Sequence, residues 1–142
     1  MSAEFDTSKI DSFRFEGQEQ PVSFIKTVPV TDGVECDVYT FVEDKDKDLG
    51  IIRIQPGSST PSQKVLIGDR TIEGYLAGKG KFTLTKPDGQ VNVYVLGDSE
   101  KTFSTTVEIG ELMQWEADSD SSLVAYEICF PPYEDGRFEN IV

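Results

Sequence analysis

The sequence predicts an all-β protein of one domain, and three observations carry that prediction. Apolar and polar residues alternate with period two along most of the chain. Turn residues interrupt this alternation at short intervals, and no long stripe of helical period competes with it. The length of 142 residues supplies one substantial core, with no internal repeat or low-complexity linker to divide it.

The alternation marks strands at Val22 to Val28, Cys36 to Val42, Gly50 to Gln55, Thr71 to Leu76 and Lys81 to Lys86. Four more follow at Val91 to Leu96, Thr105 to Ile109, Leu112 to Trp115 and Leu123 to Phe130. Between them, Asp32-Gly33, Pro56-Gly57, Gly78-Lys79-Gly80, Asp88-Gly89, Gly97-Asp98 and Gly110 supply the fixed or positive φ angles that chain reversals need. The clearest local unit is the hairpin of Lys81 to Leu96, whose two alternating strands flank Pro87-Asp88-Gly89-Gln90. Residues 1–20 are polar and without a clean period; they are expected to form an N-terminal arm, with Phe13 and Phe15 as docking points. Residues 21–142 are expected to form the β-barrel domain.

Charge narrows the partners. The 26 acidic and 13 basic residues give a formal charge of −13, a field that repels a phosphate backbone, so nucleic acid is not an expected partner. Much of the acid lies in Glu43 to Asp48, Glu116 to Asp120 and around Glu134-Asp135, segments expected to be solvated turns or ends. With no apolar run long enough to span a bilayer and no signal-like amino terminus, the expectation is a soluble, cytoplasmic protein without a membrane partner.

Cys36 and Cys129, the two cysteines, lie in apolar strand-like runs and form no CxxC pair. They are expected to be reduced, buried thiols. Histidine is absent, so the side chain that most readily moves protons near neutral pH is missing, together with the commonest metal ligand.

The order of these segments resembles the cupin superfamily, whose fold is a small double-sheet jelly roll. Pro56-Gly57 resembles the opening of the family's first motif, and counting from Gly57 puts Gln63 and Val65 where two histidines normally stand. Glu73, followed seven residues later by Gly80, keeps the Glu-to-Gly spacing. The second motif opens at Gly110, and its histidine position falls on Ser121. Leu123 to Phe130, with the Pro131-Pro132-Tyr133 exit, resembles the last strand of small cupins. The resemblance implies a jelly-roll barrel, a double-stranded β-helix, and a homodimer formed through strand or sheet edges.

The resemblance also implies a metal site that these residues do not supply. Transition metals are held in such barrels by imidazole nitrogen with a carboxylate. Gln63 is a weak donor, Val65 is none and Ser121 is a poor one at neutral pH. No metal and no cofactor are therefore expected.

In the cupin register, Glu73 and Tyr75 share the inner face, and they are the candidate acid–base pair. The competing expectation is that Glu73 is neutralised internally by Arg53 or Arg70 and that Tyr75 fills the core. Candidate ligand-binding residues are Gln63, Arg53, Glu73, Tyr75, Trp115 and Tyr126. The sequence favours a metal-free module that binds a small molecule or regulates. Two alternatives stand beside it: a cofactor-free isomerase or lyase acting on a sugar-like or carboxylate substrate, with Glu73 as acid or base, and an interaction protein with a filled barrel. The discriminating features are whether the cavity is open and whether Glu73 is isolated from cations there: a buried inward Glu73 with a raised pKa favours the enzyme, one neutralised by arginine favours binding or structure, and a filled barrel leaves the interaction protein.

Overall fold

The computed structural model describes residues 9–97 and 102–141, which form two packed sheets. The first seven strands are β1 (Ser12–Phe15), β2 (Gln18–Thr31), β3 (Val34–Phe41), β4 (Asp44–Ile54), β5 (Ser62–Val65), β6 (Arg70–Gly78) and β7 (Gly80–Thr85). The others are β8 (Val91–Leu96), β9 (Ser104–Val107), β10 (Leu112–Ala117), β11 (Leu123–Phe130) and β12 (Phe138–Ile141). The larger sheet runs β1-β2-β3-β4-β11-β6-β9 and the smaller β12-β5-β10-β7-β8, with every pairing antiparallel. Non-consecutive neighbours such as β4-β11 and β11-β6 make the sheets curl into a jelly-roll half-barrel. Among the described residues no helix is long and apolar enough to cross a membrane.

Period two divides the large sheet into two apolar faces. Val34, Ile52, Ile54, Leu123 and Ala125 turn inward against Val65, Phe82, Leu84, Met113 and Trp115 of the small sheet. Tyr39, Phe41, Leu49, Ile51, Ile72 and Ile128 turn outward. Phe13 and Phe15 cover part of that outer face, so residues 12–15, expected in an arm, form the edge strand of the large sheet. Removing such ring surface from water stabilises the docked strand at roughly 25 cal/mol per Å².

The expected bounds of β8 and β11 match the structure, and the hairpin of β7 and β8 forms as expected. At its turn, Lys86 N donates to Gln90 O at 2.8 Å and Gln90 N donates to the Asp88 side chain at 2.9 Å, with Gly89 at φ +92°. The acidic run behaves differently from expectation: only its start is a turn, and Asp44 to Asp48 belong to β4. Lys47 explains this, since its ammonium is buried over the Phe41 ring, 4.5 Å from the centroid, and pairs with Asp44 at 2.8 Å.

Candidate functional site

The candidate site lies on the concave face of the large sheet. Glu127 of β11 stands directly opposite Glu73 of β6 on one side and Gly50 of β4 on the other. Directly opposed residues share a face, so both carboxyls point between the sheets. The next row holds Asp48, Cys129 and Thr71. The small sheet covers the β6 side, where Glu73 and Thr71 are buried. Towards β3 and β4, Cys36, Val38, Asp48 and Gly50 are only half-buried and form an open shelf. Gly50 is needed there: a Cβ at that position would stand 2.8 Å from Cys36 Sγ.

Glu73 is 1% exposed. Its Oε1 accepts a 2.7 Å hydrogen bond from Trp115 Nε1, while Oε2 has no partner among the described residues. Burial pushes its pKa well above the ordinary range, and the adjacent Glu127 carboxyl raises it further against the weaker pull of the Trp115 hydrogen bond and the Arg137 charge. Burial likewise raises Asp48 and the thiols of Cys36 and Cys129. The two cysteines are therefore held as neutral thiols, and Cys129 donates to Glu127 Oε1 at 3.5 Å.

Among the expected site residues, the fold brings Glu73 and Trp115 together and separates most of the rest. Trp115 fills the barrel at the level of Glu73, with its ring 4.5 Å from that of Phe82. Tyr75 shares the inner face of Glu73, but its hydroxyl donates to Gly78 O at 2.8 Å, and it is not paired with the carboxyl. Gln63 lies on β5, where its amide donates to Asn140 of β12 at 3.1 Å.

Two expectations are corrected. Arg53 neither neutralises Glu73 nor lies near it: it points to the opposite face, where it donates to Asp37 at 2.9 Å and Glu35 at 3.3 Å. The reason is parity, since Arg53 shares the face of Leu49 and Ile51. Arg70 pairs with Glu16 instead. Tyr126 also faces outward, one residue from inward Glu127, and its ring packs edge-on against Phe13 over Gly74. A surface groove of about 440 Å³ is lined by Arg53, Glu35, Gly33 and Leu123, and a second of about 340 Å³ by Gly68, Arg70, Thr106 and Ile109. Neither is lined by Glu73, Glu127 or Trp115.

The donors do not fit the metal centre implied by the fold. Val65 is buried in the inner core, and Ser121 lies in the turn before β11 with its hydroxyl on Ser122 O at 3.0 Å. Gln63 is engaged by Asn140, and one oxygen of Glu73 by Trp115. Among the described residues no three Cys, Asp or Glu side chains are grouped to hold a metal ion.

Sequence reasoning missed Glu127 and Arg137. Glu127 sits in an apolar run, Tyr126-Glu127-Ile128, and a charge there was the available signal. Arg137, 1% exposed, donates to the carbonyls of Arg70, Phe130 and Pro131 and to Thr71 Oγ1. It ties the approach to β12 onto β6, and nothing in the alternation marks it.

No protein-family model matches this chain, and no curated protein does. Solved structures do match it. Rru_A2000 from Rhodospirillum rubrum, described as a cupin-2 domain, aligns with TM-score 0.60 at 14% identity over 99% of this chain and 84% of its own. Oxalate decarboxylase from Bacillus subtilis gives 0.64 at 17% identity over 80% of this chain and 29% of its own. The capsular polysaccharide assembling protein CapF from Staphylococcus aureus gives 0.63 at 13% identity over 85% of this chain and 32% of its own. The fold is that of the cupins. This chain spans about a third of the length of the CapF structures it matches, and these identities carry architecture alone.

Proposed function

We propose that the chain is a soluble, cytoplasmic, metal-independent cupin-type module that binds a small molecule on the open shelf of its half-barrel. The observation that supports this is the uneven cover of the concave face. The β6 side is sealed by Trp115 and Phe82, while Cys36, Val38, Asp48, Gly50 and Glu127 stay partly accessible. A concave surface with an apolar floor and a few converging polar groups is what small-ligand recognition requires. Metal analysis of the purified protein, joined to a thermal-shift screen of metals and metabolites, tests this reading. We expect no stoichiometric transition metal and stabilisation by a sugar or organic acid class. A ligand at about 100 times its Kd adds about 2.7 kcal/mol. Stoichiometric metal, or no shift with any small molecule, would refute it.

A second reading, proton-transfer catalysis as a cofactor-free isomerase or lyase, draws support from Glu73 itself. This carboxyl lies inside the barrel with a raised pKa and without an ion-pair partner among the described residues. In either case we propose that two copies pair through β8, an edge strand of the small sheet, which carries no charged side chain in a chain of net charge −13.

A further inference from the structure

We propose that Glu73 and Glu127 form a carboxyl pair in which Glu73 stays protonated at neutral pH and donates through Oε2 to Glu127. In this pair Glu127 is the positioning residue that keeps the proton on Glu73. The inference deepens the second reading, because it names the partner that would make Glu73 a general acid. It stands on three independent features of the fold.

The first is register: Glu127 and Glu73 are direct cross-strand partners on the concave face, which sets their side chains beside each other. The second is Oε2 of Glu73, which has no partner among the described residues although the side chain is only 1% exposed. A buried carboxylate oxygen without a donor is costly, and a proton on that oxygen, given to Glu127, satisfies both groups at once. The third is that no cation pairs with either carboxyl among the described residues. Arg53 and Arg70 pair elsewhere, and the four side-chain hydrogen bonds of Arg137 go to carbonyls and a hydroxyl.

The groups that face the pair agree with this. Asp48 of β4 is a carboxyl whose own pKa burial raises, Cys36 of β3 and Cys129 of β11 are neutral thiols, and Trp115 of β10 donates one hydrogen bond to Oε1. Arg137 opposes them with a positive charge that bonds to neither carboxyl. Burial then favours the neutral acid, and Glu127 supplies the acceptor that fixes where its proton points.

The test is a carbon-13 titration of labelled glutamate carboxyls in the ligand-free chain from about pH 4 to about pH 9. One carboxyl should remain protonated well into the neutral range in the unaltered protein and be absent from Glu73→Gln. In Glu127→Gln the same carboxyl should titrate at least about tenfold more readily, one pH unit lower, because a repelling neighbour becomes an amide donor. Glu127→Asp, which keeps a carboxyl, should retain the high titration and serves if the glutamine variant does not fold. A Glu73 carboxyl already ionised at neutral pH would overturn the proposal. So would a high titration unmoved in Glu127→Gln, or one lost in Glu127→Asp. Because no ligand is present, this experiment can fail while the binding reading holds, and the reverse.

Discussion

Trp115 Nε1 donates to Glu73 Oε1 across the barrel, a 2.7 Å bond from the central strand of the small sheet, β10, to β6, the strand next to the edge of the large sheet. It joins the sheets at the point where the small sheet seals the larger one. Trp115→Phe keeps most of the ring packing and removes the donor, leaving a buried carboxyl oxygen unsatisfied. The expected cost is about 2 to 4 kcal/mol, combining the lost bond with a small cavity. Denaturant unfolding followed by circular dichroism measures it, and a loss under about 0.5 kcal/mol would mean that the bond contributes little.

The pH dependence of stability follows from the same carboxyl. In the unfolded chain Glu73 ionises near the ordinary value of 4.5; in the folded chain burial and Glu127 hold its pKa well above that. Below 4.5 both states are protonated. As pH rises from there to the folded-state pKa, the unfolded chain releases a proton that the folded chain retains, and stability falls. Asp37 acts in the other direction. Burial raises its pKa, but hydrogen bonds from Arg53 and Thr27 and the charges of Arg53 and Lys9 outweigh burial and lower it. Its contribution is present above 3.8 and is lost as pH falls through its folded-state pKa. The melting temperature should therefore peak in mild acid, and Glu73→Gln should flatten the decline on the neutral side. An unchanged slope in that variant would remove Glu73 as its source.

On the outer face, Arg53 is expected to act as a structural ion-pair partner. Asp37 is 1% exposed and accepts from Arg53 at 2.9 Å and from Thr27 at 2.7 Å. Arg53→Met removes one partner of a buried carboxylate and should destabilise by about 1 to 3 kcal/mol. It should leave the affinity of any shelf ligand unchanged within about twofold, because Arg53 lies on the other side of the sheet. Calorimetric titration with the first ligand found decides this; a tenfold loss of affinity would return Arg53 to the site.

These cases show where the sequence was legible and where it was not. Alternation located β8 and β11 to the residue because each carries a full run of alternating or apolar side chains between clear turns. It did not reveal β5 and β12, which contain four residues each and present mostly polar side chains along one edge of the small sheet. Glu73 was legible because Glu and Gly keep a recognisable spacing. The position facing it was not, because counting from Gly110 led to Ser121 in a turn, whereas strand pairing puts Glu127 there. Cross-strand neighbours depend on register, and register is set by the whole sheet. Arg53 illustrates the same limit: its partner could be named only once the parity of β4 was known.

Gly74 offers a test of how β1 is held. Its missing side chain makes room for the Tyr126 ring, which packs at 5.1 Å against Phe13 of β1. In Gly74→Ala the new methyl group would meet that ring, so Tyr126 must move and its contact with Phe13 must open. Overpacking of this kind costs about 1 to 3 kcal/mol. Amide exchange should show β1 deprotected more than β7 or β10, since the disturbance lies on the outer face. Uniform loss of protection across both sheets would instead mean that β1 docks as part of a single cooperative unit.

The β8 edge carries the prediction of a homodimer. Val91, Val93 and Val95 are 55, 53 and 67% exposed on its outer face, and the strand has neither the lysine nor the proline that commonly blunts an edge. Copies of a chain with net charge −13 repel one another over most of their surface, which favours contact where charge is absent. Antiparallel β8 strands brought together about a two-fold axis would join two five-stranded sheets and line up the valines across the seam. Val93→Lys places a charge at the centre of that seam and, by two-fold symmetry, opposite its own copy. It should convert a dimer into a monomer at micromolar concentration while leaving the melting curve of the isolated subunit nearly unchanged, since this side chain faces solvent there. Sedimentation velocity on both proteins reads the result. If the unaltered chain sediments as a monomer, or the variant remains a dimer, β8 is not the contact.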